Sequence, residues 1–229
     1  MQNRSDPSPL NPLPWIVWAL TLPLIAMEVV LALGESGLAG GDSGIGWRLQ
    51  AVQDFAFSPQ FLQVAWGDGR WLPYEPWRML TYLFVHPTTT STIFAVVILL
   101  ALGKMVAELF RWWAVLVIWA GSAFVGALVY AVALPAERAP LMGAFPADYG
   151  LIGAFTFLIW VRLAGTGSSQ FRAFTLIGFL LGTQLLFALL FGGGYVWVAE
   201  LAGFATGFLL SFVVSPGGLS RVRERLRSR

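Results

Sequence analysis

Six stretches of mostly apolar residues, separated by polar, Gly or Pro positions, dominate the chain: Pro14 to Leu33, Phe84 to Gly103, Trp112 to Leu134, Pro146 to Leu163, Ala173 to Phe191 and Val196 to Val214. A helix needs about 20 such residues to cross a hydrocarbon layer of about 30 Å, because every backbone polar group inside it must be paired within the segment. The pattern predicts an all-α membrane protein with six spans. Residues 1–13 form a short N-terminal segment, 14–214 the transmembrane domain and 215–229 a basic tail. The stretch before Pro14 has no basic region leading into a short apolar core and a small-residue cleavage site, so the first span reads as a retained helix and not a signal peptide.

Composition sharpens this picture. Of 229 residues, 57% are hydrophobic and 11% charged, against roughly 25% charged in a soluble domain. With 11 Trp and 18 Phe and a mean hydropathy of +0.72, the chain is too apolar for disorder as well. The formal charge of +2 does not point to nucleic acid, since five of the fourteen basic residues are Arg221, Arg223, Arg225, Arg227 and Arg229. The tail is expected to rest on an anionic inner leaflet.

Basic residues stay preferentially on the cytoplasmic side. With both termini there, the inner segments carry Arg4, Lys104, Arg111, Arg162, Arg172 and the tail arginines, while only Arg48, Arg70, Arg78 and Arg138 lie outside. The expected location is therefore a plasma (inner) membrane with both ends cytoplasmic. The connection from Gly34 to about Thr81 is long and rich in aromatics (Trp47, Phe55, Phe57, Phe61, Trp66, Trp71, Trp77). That density suits the water–lipid boundary, so this outer loop is expected to lie partly in the interface as short helices.

The chemistry available is narrow. There is no Cys and one His, His86, which excludes disulfides, thiolate nucleophiles and a His-rich metal site. No metal or cofactor is expected. A Ser/His or Cys/His pair would have to use His86.

The stretch Glu75-Pro-Trp77-Arg78-Met-Leu-Thr-Tyr-Leu-Phe-Val-His86, then Leu102-Gly103 and Glu108, then Gly143-Ala-Phe-Pro-Ala-Asp-Tyr-Gly150-Leu-Ile-Gly153, and finally Gly203 and Gly207 occur in an order that resembles the rhomboid intramembrane proteases. The resemblance implies a six-helix bundle with a long interfacial first outer loop. It also implies a Ser on the fourth span made nucleophilic by a His on the sixth, with a His and an Asn on the second span helping to hold the oxyanion. Here the nucleophile position is Phe145 and the base position is Glu200. The Gly that follows the nucleophile is replaced by Pro146, which has no N–H to donate, and the oxyanion positions are Ser91 and Ala95. Losing one oxyanion donor costs on the order of 10²–10³ in rate, and losing nucleophile and base far more. The expectation is a rhomboid-like chain that does not cleave by the family mechanism. Its partners would be the bilayer and the transmembrane segments of client proteins, bound without being cut. Two other readings stand beside it: a rhomboid-family endopeptidase with an unconventional site, and an accessory subunit of a larger membrane complex. Oligomeric state is not legible.

Buried charges in a membrane suggest function by default, which singles out Glu28, Asp148 and Glu200. Asp148 is expected to cap the helix that begins near Pro146. Glu200, on one face with Gly203, Phe204 and Gly207, is expected to hydrogen-bond across a close helix pair. A sharper alternative has Asp148 and Glu200 facing each other and sharing a proton. Glu28 has no assigned role. His86 is expected to be a hydrogen-bonded residue at the start of a helix, and Arg78, beside Trp77, to stack on aromatics and bind loop carbonyls.

Overall fold

The computed structural model describes residues 12–61, 75–167, 169–191 and 194–215. The described residues are 79% helical and contain no strand. Its helices are α1 (Trp15–Glu35), α2 (Trp47–Phe55), a single turn α3 (Arg78–Thr81), α4 (Thr89–Ala107), α5 (Trp112–Ala133), α6 (Phe145–Gly165), α7 (Thr175–Phe191) and α8 (Val196–Val214). Five of them, α1, α4, α5, α6 and α8, are long and apolar enough to cross a membrane. The fifth expected span, Ala173 to Phe191, divides into a 3₁₀ turn, Gln170–Phe174, and the 17-residue α7. At 1.5 Å per residue α7 is about 26 Å long, at the short end for a span.

The second span begins later than the hydrophobic pattern suggests. Pro87 lacks an N–H and disfavours helix at His86, so Tyr82–Phe84 form a 3₁₀ turn and α4 starts at Thr89. Thr88 caps it, its Oγ1 accepting from the Ser91 amide at 3.2 Å. The long loop carries a 3₁₀ turn at Gly41–Gly46 and then α2.

Apolar burial between helices gains little in lipid, so close backbone approach and polar bonds hold a membrane bundle together. The sequence supplies the approach through small residues on α5, α6 and α8. A Cβ on Gly203 would overlap the Pro146 carbonyl oxygen, one on Gly207 the Gly150 carbonyl, and one on Gly153 the Phe204 carbonyl. On the α5 side, a Cβ on Gly126 would lie 2.9 Å from the Ala199 carbonyl, and one on Gly150 would overlap Ser122 Oγ. These three helices therefore meet backbone to backbone, with Ala123, Ala127, Ala147, Ala154 and Ala199 completely buried between them. On the other flank α1 packs on α4, where Gly103 faces Val17.

Gly207→Ala is expected to lower stability by about 1–3 kcal/mol, the usual cost of overpacking, because the displaced atom is backbone. Gly178→Ala on α7, where an added Cβ meets nothing within 4 Å, is expected to leave the thermal midpoint unchanged. Circular dichroism melts in detergent micelles measure both.

Candidate functional site

The start of α6 is held by its neighbours and not by a capping side chain. The loop before it is pinned at Leu141, whose amide and carbonyl each bond the backbone of Phe57, at 2.7 and 3.0 Å. Gly143 has φ +91°, a conformation that favours glycine, and its amide donates to the Tyr82 carbonyl at 2.9 Å. A Cβ there would sit 3.2 Å from His86 Cδ2. The next amide, of Ala144, donates to His86 Nε2 at 3.1 Å. Phe145 then opens the helix with its ring edge-on to the imidazole, centroids 6.3 Å apart.

His86 is thus a neutral acceptor, with its proton on Nδ1. Burial, reinforced by the charge of Arg48 and opposed by that of Glu28, pushes its pKa down to about 4. The imidazole is 1% exposed, and Nδ1 has no hydrogen-bond partner among the described residues.

The backbone of His86 is tied to a second structure, which sequence reasoning missed. Its carbonyl accepts from Arg48 Nη1 at 3.0 Å. Arg48, on α2, also donates from Nη1 and Nη2 to the two oxygens of Glu28 (3.1 and 2.7 Å) and from Nε and Nη2 to those of Glu35 (2.6 and 3.0 Å). All five guanidinium N–H groups are used. The two carboxylates raise the pKa of Arg48 further above its already high value. Glu28 accepts two more bonds, from Thr89 and Thr92 Oγ1, both at 2.6 Å. The threonines at the start of α4 thus serve this carboxylate. A signal existed: Glu28 and Glu35 lie seven residues apart, on one face of α1, and the aromatic loop beyond it carries few basic residues.

Arg78 ties the loop together. Its Nη1 donates to the carbonyls of Gln53 and Ala56, at 2.5 and 3.3 Å, and its Nε to Glu75. Its guanidinium lies 4.9 Å from the centre of the Phe61 ring. Trp77 is 52% exposed, so the aromatic partner is Phe61.

The carboxylates on α6 and α8 require two corrections. Asp148 does not cap: α6 begins at Phe145 and has no side-chain cap, which places Asp148 a turn in and aims it sideways. Its Oδ1 accepts from Trp119 Nε1 of α5 at 3.3 Å, and Oδ2 has no partner among the described residues. Asp148 and Glu200 do not share a proton by direct hydrogen bonding either, because they face different helices. The polar neighbour of Glu200 is Gln184 on α7, and its Oε2 is likewise without a partner. Gly203 and Gly207 make the backbone approaches already described. Ser91 gives its amide to the cap of α4, and Ala95 is completely buried.

One hydroxyl arrangement could be mistaken for a reactive pair, that of Thr89 and Thr92 with Glu28. The carboxylate accepts four hydrogen bonds, two of them from Arg48. Its acceptor sites are filled, which leaves none to take a threonine proton. No group of three or more His, Asp or Glu among the described residues could hold a metal ion.

The Rhomboid domain family model matches residues 73–217, more than half of the chain. The protein belongs to the rhomboid family. A search of curated proteins found no match. The matched region starts just before Glu75 and runs beyond α8, so it contains the His86–Ala144 contact and the α5–α6–α8 core of this rhomboid. Arg48, Glu28 and Glu35 lie outside it. An integral membrane protein follows from the family and the five apolar helices.

Two measurements check this geometry. Arg48→Met leaves the buried carboxylate of Glu28 without its cation and is expected to cost about 3–5 kcal/mol; a second change, Glu28→Gln, should restore part of it. For His86 the folded state resists protonation, so stability falls as pH drops from about 6.5 to about 4 and then levels. The full effect is on the order of 3 kcal/mol. His86→Gln should flatten that part of the pH profile, read as the difference between the two proteins in urea melts.

Proposed function

We propose that this rhomboid binds transmembrane helices of client or partner membrane proteins without cleaving them. The observation that carries the reading is the content of the α6 start. At the position where the family resemblance places a nucleophilic serine stands Phe145, its ring against an imidazole already occupied by the Ala144 amide. By the same resemblance Glu200 stands at the base position, and Pro146 removes a donor beside Phe145. Hydroxyl and imidazole are not brought together: among the described residues no hydroxyl hydrogen-bonds His86.

The rest of the fold suits a helix binder. α7 buries only Ile177 among its described side chains, and Leu176, Phe179, Leu185, Leu186 and Leu190 are exposed. This gives an apolar helix face beside the bundle on which a foreign helix can lie. The charge distribution supports termini on the cytoplasmic side of a plasma (inner) membrane. A stoichiometric role in one larger complex uses the same surface.

In proteoliposomes with a single-pass model substrate, the native protein is expected to leave the substrate intact, as judged by mass spectrometry. The double change Phe145→Ser with Glu200→His is expected to remain inactive, since Pro146, Ser91 and Ala95 stay in place. Crosslinking from α7 should capture client transmembrane segments. One stoichiometric partner would favour the accessory-subunit form, and site-specific cleavage by the native chain would overturn the proposal.

A further inference from the structure

A groove lies between α1 and the loop that returns to α4. It has a volume of about 420 Å³ and is lined by Pro23, Ala26, Met27, Val30, Phe55, Thr81 and Phe84. That volume is in the range of small-molecule sites, roughly 300–1,000 Å³. None of these residues takes part in the Arg48 network or in the α6 start. Pro23, within α1, leaves the Ala19 carbonyl without its usual helical amide.

We propose that this groove holds one acyl chain of a phospholipid from the leaflet on the loop side. The lining argues for a ligand without polar demands. Its one hydroxyl, on Thr81, already donates to the Phe55 carbonyl at 3.1 Å, and the other six side chains are apolar. The groove is continuous with the lipid-facing wall of α1, where Leu22, Ile25, Val29, Val30 and Leu33 are exposed. Lipid is therefore its surrounding solvent.

Size decides between a chain of methylenes and a helix. A helix with side chains is 10–12 Å across and rises 5.4 Å per turn, so about 420 Å³ accommodates roughly one turn. A spanning partner helix or a second copy of this chain could seat only a fraction of its length there. A flexible acyl chain has no such diameter and can fold into the space.

The headgroup end is marked as well. Trp77 lies one helical turn before Thr81, whose amide donates to the Trp77 carbonyl at 2.9 Å, and the Trp77 ring is half exposed. Tryptophan favours the boundary between headgroups and hydrocarbon. A lipid whose tail reaches Thr81 and Phe84 then has its glycerol region at the level of Trp77. This gives Trp77 a role separate from that of Arg78, which binds loop carbonyls.

The test uses the full chain in phosphatidylcholine vesicles containing a phosphatidylcholine with a photoactivatable group on its acyl chain, with labelled residues located by mass spectrometry. Label is expected to concentrate on 23–30 of α1 and on Phe55. Ala26→Trp, which fills the groove from a lipid-facing position, should abolish that label while the exposed face of α7 stays labelled; Val30→Trp fills the other end, and Leu22→Trp outside the groove should change nothing. Label spread evenly over all lipid-facing helices, or unchanged in both filling variants, overturns the proposal. So does a photoreactive residue at position 26 that captures another protein or a second copy instead of lipid. No client is present in this experiment, so its failure does not bear on client binding.

Discussion

An arginine taken out of water must find a partner for every N–H it carries, and Arg48 does so by drawing together three parts of the chain. Its five donors reach Glu28 and Glu35 on α1 and the carbonyl of His86 just before α4, while its own helix, α2, belongs to the long loop. Removing one member of such a network leaves the others buried and unsatisfied, so the geometry is held firmly. The loop helix α2 is a fixed part of the bundle for this reason. Through His86, whose ring accepts the Ala144 amide, the same network sets where α6 begins. The position of Phe145 is thus tied to a guanidinium nearly a hundred residues earlier in the chain.

The other half of the site is set by closeness. Gly126, Gly150, Gly153, Gly203 and Gly207 let α5, α6 and α8 approach until backbone touches backbone. This brings Glu200 to the level of the α6 start and commits the surrounding side chains to packing. In a proteolytic rhomboid, as the family resemblance implies, such closeness would bring a serine to a histidine. Here the close approach is that of Gly203 to the Pro146 carbonyl, and the positions that the resemblance assigns to serine and histidine carry Phe145 and Glu200. The glycines that build the scaffold are in place, and the proposed loss of cleavage rests on the residues that the family resemblance aligns with the reacting groups.

Much of this was legible in the sequence because bilayer physics writes a strong signal. Spans follow from apolar length, and the small residues of α5, α6 and α8 follow from the rule that close packing holds helices together in lipid. The importance of Gly203 and Gly207 was visible for that reason. What escaped was pairing over long separations. Glu28 was recognised as costly, but its partners Arg48, Thr89 and Thr92 lie 20, 61 and 64 residues away, and no periodicity connects them. Asp148 was misread because a carboxylate near a proline looks like a cap; the helix starting at Phe145, and an indole on α5, turned it inward. The alternative of an Asp148–Glu200 pair failed for the same reason, since sequence places residues on helices without fixing which neighbour each faces. The shift of α4 to Thr89 was, by contrast, written in Pro87.

Client binding without cleavage, as proposed, requires that this rhomboid scaffold hold no activated nucleophile. The direct measurement is exposure of the purified protein, in lipid, to a fluorophosphonate that marks activated serine and threonine hydroxyls, followed by intact-mass analysis. The account predicts the unmodified mass. A stoichiometric adduct on any hydroxyl, lost on heat denaturation before labelling, would contradict it.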